Sequence, residues 1–323
     1  MDLNSMNSNS DSSSDLKNLF EGCILGVAIG DALGMPAEGM RIEKIRETYG
    51  YIEDFHPSPL GDLNTGEWTD DTEQMIILAE SIIDRIYLDP EDFAAKLVSW
   101  AENAFKIRTG PTTRQALRNL FHGAPWDKAG VDSATCGAAM RVAPIGLVYH
   151  FNLDLVDRYA AISASVTHRN YSAIAGAVAV ATAISCLVSD FSDDEMLLEV
   201  VSRTKKYDKL MSEKIEYSKE IKDRELEYAV EKLGNSIMTW DVVPMAFYCF
   251  FSSNDFSDAV KKGANVGGDT DSIAAIAGGI SGAKFGEKAI PNNWKRRVKD
   301  SSYLFEIAEL LYETHKKIVT LSP

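Results

Sequence analysis

The chain has 323 residues, 45% of them hydrophobic and 25% charged, with a formal net charge of −15. That is ordinary globular material with enough apolar residues for a sizeable core. A field of that sign repels nucleic acid and anionic membrane, so neither is expected as a partner. The four cysteines, Cys23, Cys136, Cys186 and Cys249, form no C-x-x-C pair, which argues against a zinc knuckle or a redox motif. Scattered thiols suit a reducing compartment, and a cytoplasmic location is the expectation.

Residues 1–15 are mostly Ser, Asn and Asp, with neither a basic start nor an apolar stretch. They read as a disordered arm and not as a signal peptide. A helical pattern starts at Leu16. Gly22, Gly26, Gly30 and Gly34 recur every fourth residue, one row on a helix, where small residues let a second helix come close. The spacing lacks the G-x-G-x-x-G of a dinucleotide site. Glu38 follows in GMPAEG, a loop.

Residues 51–68, with two prolines and two glycines, read as another loop. TDDTEQMIILAESIIDRI then puts Met75, Ala79, Ile82, Ile83 and Ile86 on one helical face, with acids at its start. Further helices are predicted at 91–106, 112–121 and 154–165. The Gly- and Ala-rich stretch around 123–146 reads as a functional loop leading to a short helix. Ala173–Val188 is the most apolar run, 16 residues long. A membrane span needs roughly 20 residues, so a buried core helix is expected. The region near 190–235 is dense in Lys, Glu and Asp and reads as an exposed helical excursion. Residues 239–251 are apolar and aromatic, GANVGGDTDS opens a helix of small residues from Ile273 to Ala283, and the stretch from Tyr303 to Ile318 is amphipathic. Strand alternation is nearly absent. The prediction is an all-α protein, one domain over 16–323 after the arm.

Two clusters carry candidate chemistry: Thr69-Asp70-Asp71-Thr72, and Asp269-Thr270-Asp271-Ser272 preceded by Gly267-Gly268. Both set carboxylates and hydroxyls at a helix start. Hard divalent cations take such oxygen ligands, and a pair of cations would relieve the repulsion of converging carboxylates. The competing explanation is helix capping, for which Asp and Thr are common. The double glycine, which permits close backbone approach to a ligand, tips the balance towards metal. His168, in VTHRN, is either a donor to a ligand or a satisfied histidine at a helix end. Cys136 reads as a small buried thiol.

Five segments in order, GCILGVAIGDALGMPAE, GEWTDDTEQM, CGAAMRVAPIGL, VTHRNYSAIAGAVAVATAI and ANVGGDTDSIAAIAGGISGA, resemble the ADP-ribosylglycohydrolase family from about Leu16 to Trp294. The resemblance implies a compact orthogonal multi-helix bundle and a centre of two divalent cations, Mg²⁺ or Mn²⁺. It implies that Thr69, Asp70, Asp71, Asp269, Asp271 and Ser272 supply the metal ligands. Glu38 would match a mobile-loop glutamate near the metals. His168 and the loop Asp132–Gly137, with Ser133, Cys136 and Gly137, would lie along ADP-ribose. Many members carry Thr at the position of Ser272 and Asn at that of Cys136. A thiol cannot reproduce the donors and acceptor of an amide.

The implied activity is removal of ADP-ribose from a modified protein, arginine-linked first and serine-linked or other ADP-ribose as the runner-up. Asp70 or Asp71 would act as base or orient water, and Glu38 or water would protonate the leaving group. Two alternatives stay open. One is an immunity protein that counters an ADP-ribosylating toxin by hydrolysis or direct binding. The other is a silent member kept as a binding or structural protein.

Overall fold

The computed structural model describes residues 4–103 and 108–321. Among them it is all α-helix, with no strand, as expected. The helices are α1 (Asn4–Gly34), α2 (Ile42–Tyr49), α3 (Asp70–Arg85), α4 (Pro90–Asn103), α5 (Pro111–Phe121), α6 (Trp126–Ala129), α7 (Ala143–Val148), α8 (Leu153–Ser165) and α9 (Tyr171–Val188). They continue as α10 (Asp193–Thr204), α11 (Lys209–Glu220), α12 (Leu226–Leu233), α13 (Thr239–Phe251), α14 (Phe256–Asn265), α15 (Thr270–Phe285), α16 (Asn292–Arg297) and α17 (Ser301–Leu321). The stretch read as an arm has helical backbone from Asn4 on. Its residues 1–3, and the 104–106 end of the helix predicted over 91–106, lie outside the described residues.

The glycine row explains the centre of the fold. On α1 it faces a second row of small residues on α15, and the two run antiparallel. A Cβ on Gly22 would sit 2.5 Å from Gly282 O, one on Gly26 2.2 Å from Gly278 O, one on Gly30 2.0 Å from Ala274 O, and one on Gly34 2.2 Å from Thr270 O. The two backbones therefore touch along four turns. This register sets the C-terminal end of α1 beside the N-terminal end of α15. Thr270 Oγ1 seals that end by donating to Gly34 O at 2.8 Å.

The apolar run at 173–188 lies in α9, buried from Ala173 to Val188. The helices α9, α13 and α15 pack with α1 into one core of Ile, Val, Ala and Phe. Burial of that surface at roughly 25 cal/mol per Å² is the main stabilising term. The region near 190–235 is helical, as α10, α11 and α12, and its charge faces outward. Met196, Val200, Met211, Ile215, Ala229 and Leu233 turn inward with no exposure.

Candidate metal and ligand site

A cavity of about 410 Å³ opens where α1, α3 and α15 end or begin. Glu38, Asp70, Asp71, Asp269, Asp271 and Ser272 line it, together with Cys136, Gly137 and His168. These nine residues were singled out from sequence. Thr69 and Ser133 do not line it. The hydroxyl of Thr69 donates to Asp31, 2.9 Å away, and lies 3.3 Å from Asp71 Oδ2, while Ser133 Oγ pairs at 2.8 Å with Oγ1 of Thr112, a residue of the cavity lining.

The two acidic motifs are not serving as caps. Neither Thr69 at the start of α3 nor Asp269 at the start of α15 caps with its side chain. Elsewhere the protein caps in the usual way. Asn152, Asn170, Asp208 and Asp255 each accept from the first turn of their own helix, and Ser192 forms a capping box with Glu195.

Each motif is held from outside. Asp31, buried on α1, accepts from Thr69 N (3.0 Å), Thr69 Oγ1 (2.9 Å), Thr72 N (3.1 Å) and Thr72 Oγ1 (2.6 Å). Burial pushes its carboxyl up to about 6 against those four donors. Sequence reasoning missed Asp31. The available signal was a lone acid amid the apolar residues of the first helix. The second motif hangs on Gly267 and Gly268, both left-handed at φ +71° and +70°. Gly268 N donates to Met40 O and Gly39 N to Gly268 O, both at 2.8 Å, while Asp269 N donates to Asn235 O at 2.9 Å. A Cβ at Gly268 would lie 1.8 Å from Asn235 O, so only glycine fits there.

The electrostatics follow from crowding. Burial first, then mutual repulsion, raises the carboxyls of Asp70, Asp71 and Asp271 well above the usual range. Asp269 is raised by burial. Asp71 Oδ1 is buried with no hydrogen-bond partner. A buried orphan oxygen among repelling carboxylates is what a bound cation would satisfy. Among the described residues, no three His, Cys, Asp or Glu side chains are already closed around one point. The carboxylates line a cavity rather than a finished cage. Cys136 Sγ donates to Asp269 Oδ2 at 3.1 Å and lies 3.5 Å from Ser272 Oγ. At the mouth, Arg108 grips Asp62 with Nε (2.8 Å) and Nη2 (2.7 Å) and reaches Glu38 Oε2 at 3.3 Å.

The opposite wall is the loop 131–137. Val131 bridges to His168, Thr135 bridges to Met238, and Thr239 donates to Ala134 O through both N and Oγ1 at 2.8 Å. His168 is almost fully buried, with Nε2 2.9 Å from Thr135 Oγ1. A Cβ on Gly137 would lie 2.8 Å from His168 Cε1, so glycine leaves that ring edge open to the cavity.

The comparisons give the fold and the family. A solved structure described as an ADP-ribosylglycohydrolase-related protein complex superposes with TM-score 0.80 at 27% identity, covering 94% of this chain and 99% of that one. An uncharacterised protein of Archaeoglobus fulgidus is 59% identical, over 95% of this chain and 100% of its own length. The ADP-ribosylarginine hydrolase Tri1 of Pseudomonas putida is 28% identical over 91% of this chain and 77% of its own. The mouse ADP-ribosylhydrolase ARH3 is 26% identical, over 92% of both chains. The family model for ADP-ribosylglycohydrolase matches residues 12–318, and the chain belongs to that family.

Proposed function

We propose that the protein hydrolyses the bond between ribose C1″ of ADP-ribose and a protein side chain, with arginine as the modified residue and two divalent cations, Mg²⁺ or Mn²⁺, in the acidic half of the cavity. The observation that carries this reading is the convergence of five carboxylates on one cavity, one of them with an orphaned buried oxygen, facing a wall with a histidine. All-oxygen donors suit hard cations. Asp70, Asp71, Asp269, Asp271 and Ser272 would hold them, and Thr69 would act through Asp31. When bound, such cations hold sugar hydroxyls and lower the pKa of water.

The chain's own groups do the rest. His168 and Gly137 bind and orient ADP-ribose against the loop wall, which fixes C1″ for attack. Asp70 or Asp71 takes the proton of the attacking water. Glu38 lies at the mouth, where the side chain of the modified protein leaves, and is the group available to protonate it. Its pairing with Arg108 gives that loop a latch. Arginine is favoured as the linked residue by the Tri1 relatives, which are named for that activity.

The test presents the protein with arginine- and serine-ADP-ribosylated substrates in Mg²⁺. Release of ADP-ribose from the arginine substrate is expected. Release from serine alone would overturn the leaving group, and no release from either would overturn the hydrolase reading.

A further inference from the structure

Arg141 is the largest of the fully buried side chains and has no solvent exposure. It sits between loop 131–137 and α7, with its guanidinium 5.1 Å from the centre of the Phe93 ring. Its hydrogen-bond partners are neutral. Nη1 donates to Gln74 Oε1 at 2.7 Å, and Nη2 donates to Ser163 O at 3.0 Å and to Thr167 Oγ1 at 2.8 Å. Burying a cation this way is costly, so its retention calls for a reason.

A guanidinium only donates. That fact sets the direction of every bond beyond it. Gln74 must turn its oxygen to Arg141, so its amide nitrogen faces the cavity side and donates to Asp70 Oδ2 at 2.8 Å. Thr167 accepts from Arg141, and its own hydrogen has His168 Nδ1 as an acceptor 2.7 Å away. Because Thr135 gives its hydrogen to Thr112, it accepts from the other ring nitrogen, which agrees with this direction. His168 Nδ1 is then an acceptor, and the neutral ring carries its hydrogen on Nε2. That nitrogen donates to Thr135 Oγ1 at 2.9 Å, and Thr135 donates on to Thr112 Oγ1 at 3.1 Å. Both arms of Arg141 thus end in the cavity, one at a carboxylate and one at the histidine.

We propose that Arg141 is a positioning residue that sets the hydrogen-bond polarity of both cavity walls, holding His168 as the Nε2–H tautomer and the Gln74 amide as a donor to Asp70. The hydrogen on His168 Nε2 then points along the cavity wall to Thr135, where a phosphate or hydroxyl oxygen of the ligand would take the place of Thr135 Oγ1 as its acceptor. Burial, aided by the charge of Arg141, pulls the imidazole down to about 3, which keeps the ring neutral near pH 7. Only the identity of the ligand rests on the function proposed above.

The test reads the tautomer directly, by long-range ¹H–¹⁵N correlation on the full chain with ¹⁵N-labelled histidine. Calorimetry with ADP-ribose in Mg²⁺ runs beside it. The wild type is expected to show a protonated Nε2 and a bare Nδ1. Thr167→Val keeps the side-chain shape and removes the hydroxyl. It should let the Nδ1–H form appear and weaken ADP-ribose by about tenfold, the order of one lost hydrogen bond. Thr167→Ser should restore both. Arg141→Lys, which keeps the charge but not the fork, should also admit the Nδ1–H form. If that variant fails to fold, the Thr167 pair decides. An Nδ1–H ring or an imidazolium in the wild type at pH 7 would overturn the proposal. So would an unchanged tautomer in Thr167→Val. A tautomer that responds as expected in a protein that does not bind ADP-ribose would support the positioning role and remove the ligand assignment.

Discussion

Four donors from one turn of chain meet on the carboxylate of Asp31, and this single residue fixes how α3 begins. Thr69 and Thr72 are held by both backbone and side chain, so the intervening Asp70 and Asp71 turn outward into the cavity. Asp31→Asn replaces one acceptor oxygen by an NH2 group, which can only donate. It should cost about 1–3 kcal/mol, the usual penalty for a buried unpaired polar group, read as a lower urea midpoint. It should also blunt the response to divalent cations. An unchanged midpoint would show that the four bonds matter little. The carboxylates of TDDT and DTDS were legible in sequence because acid and hydroxyl side chains recur at two helix starts. Asp31 was not, because its partners lie 38 and more positions away and it belongs to no local motif. The family resemblance implies Thr69 as a metal ligand and Ser133 as a contact to ADP-ribose. Their hydroxyls bond to Asp31 and Thr112, partners that sequence spacing does not reveal.

At the scale of the element, the pairing of α1 with α15 determines the site. The glycine row on α1 announced a close helix partner but not which helix. The answer depends on a matching row of Gly and Ala near the other end of the chain. Gly278→Ala would put a Cβ 2.1 Å from Gly26 O, against backbone that cannot swing aside. The helices must part, and overpacking of this kind costs about 1–3 kcal/mol or more. The expected outcome is a clear fall in melting temperature together with weaker cation binding, since α15 carries Asp271 and Ser272. A variant of full stability would refute backbone contact as the organising feature. The short helices α2, α14 and α16 were not foreseen. The signal was present in two of them: α14 buries Phe256, Ala259, Val260 and Ala264 at helical spacing and α2 buries Ile42 and Ile45, whereas α16 buries Trp294 alone and shows no period.

Over the whole molecule, charge and pH are the levers. His150 and His315 stack at 4.3 Å with their Nε2 atoms 3.2 Å apart, in a buried corner against Phe20. Burial first, then the neighbouring ring, pulls His150 down to about 3 from 6.5, and His315 is lowered as well. The folded values lie below the unfolded ones, so the unfolded chain binds more protons. The stability from this pair is therefore present above about pH 6.5 and lost as pH falls towards 3. Between pH 7 and pH 5 the urea midpoint should drop more for the wild type than for a His150→Gln, His315→Gln double variant. Equal drops would remove the pair as a source of acid sensitivity. The acidic site acts independently of that corner. Its carboxylates repel one another in the absence of a counter-ion, so a bound divalent cation should stabilise the fold by mass action, about 2.7 kcal/mol at a hundred times its Kd. Cation binding underlies both the stability and the activity proposed here, and one measurement tests it most directly: calorimetric titration of Mn²⁺ into metal-stripped protein, wild type and Asp269→Ala, each with its melting temperature. The account predicts saturable binding with a raised melting temperature in the wild type and a loss of both in a folded Asp269→Ala. Equal binding by the two proteins, or none by the wild type, would contradict it.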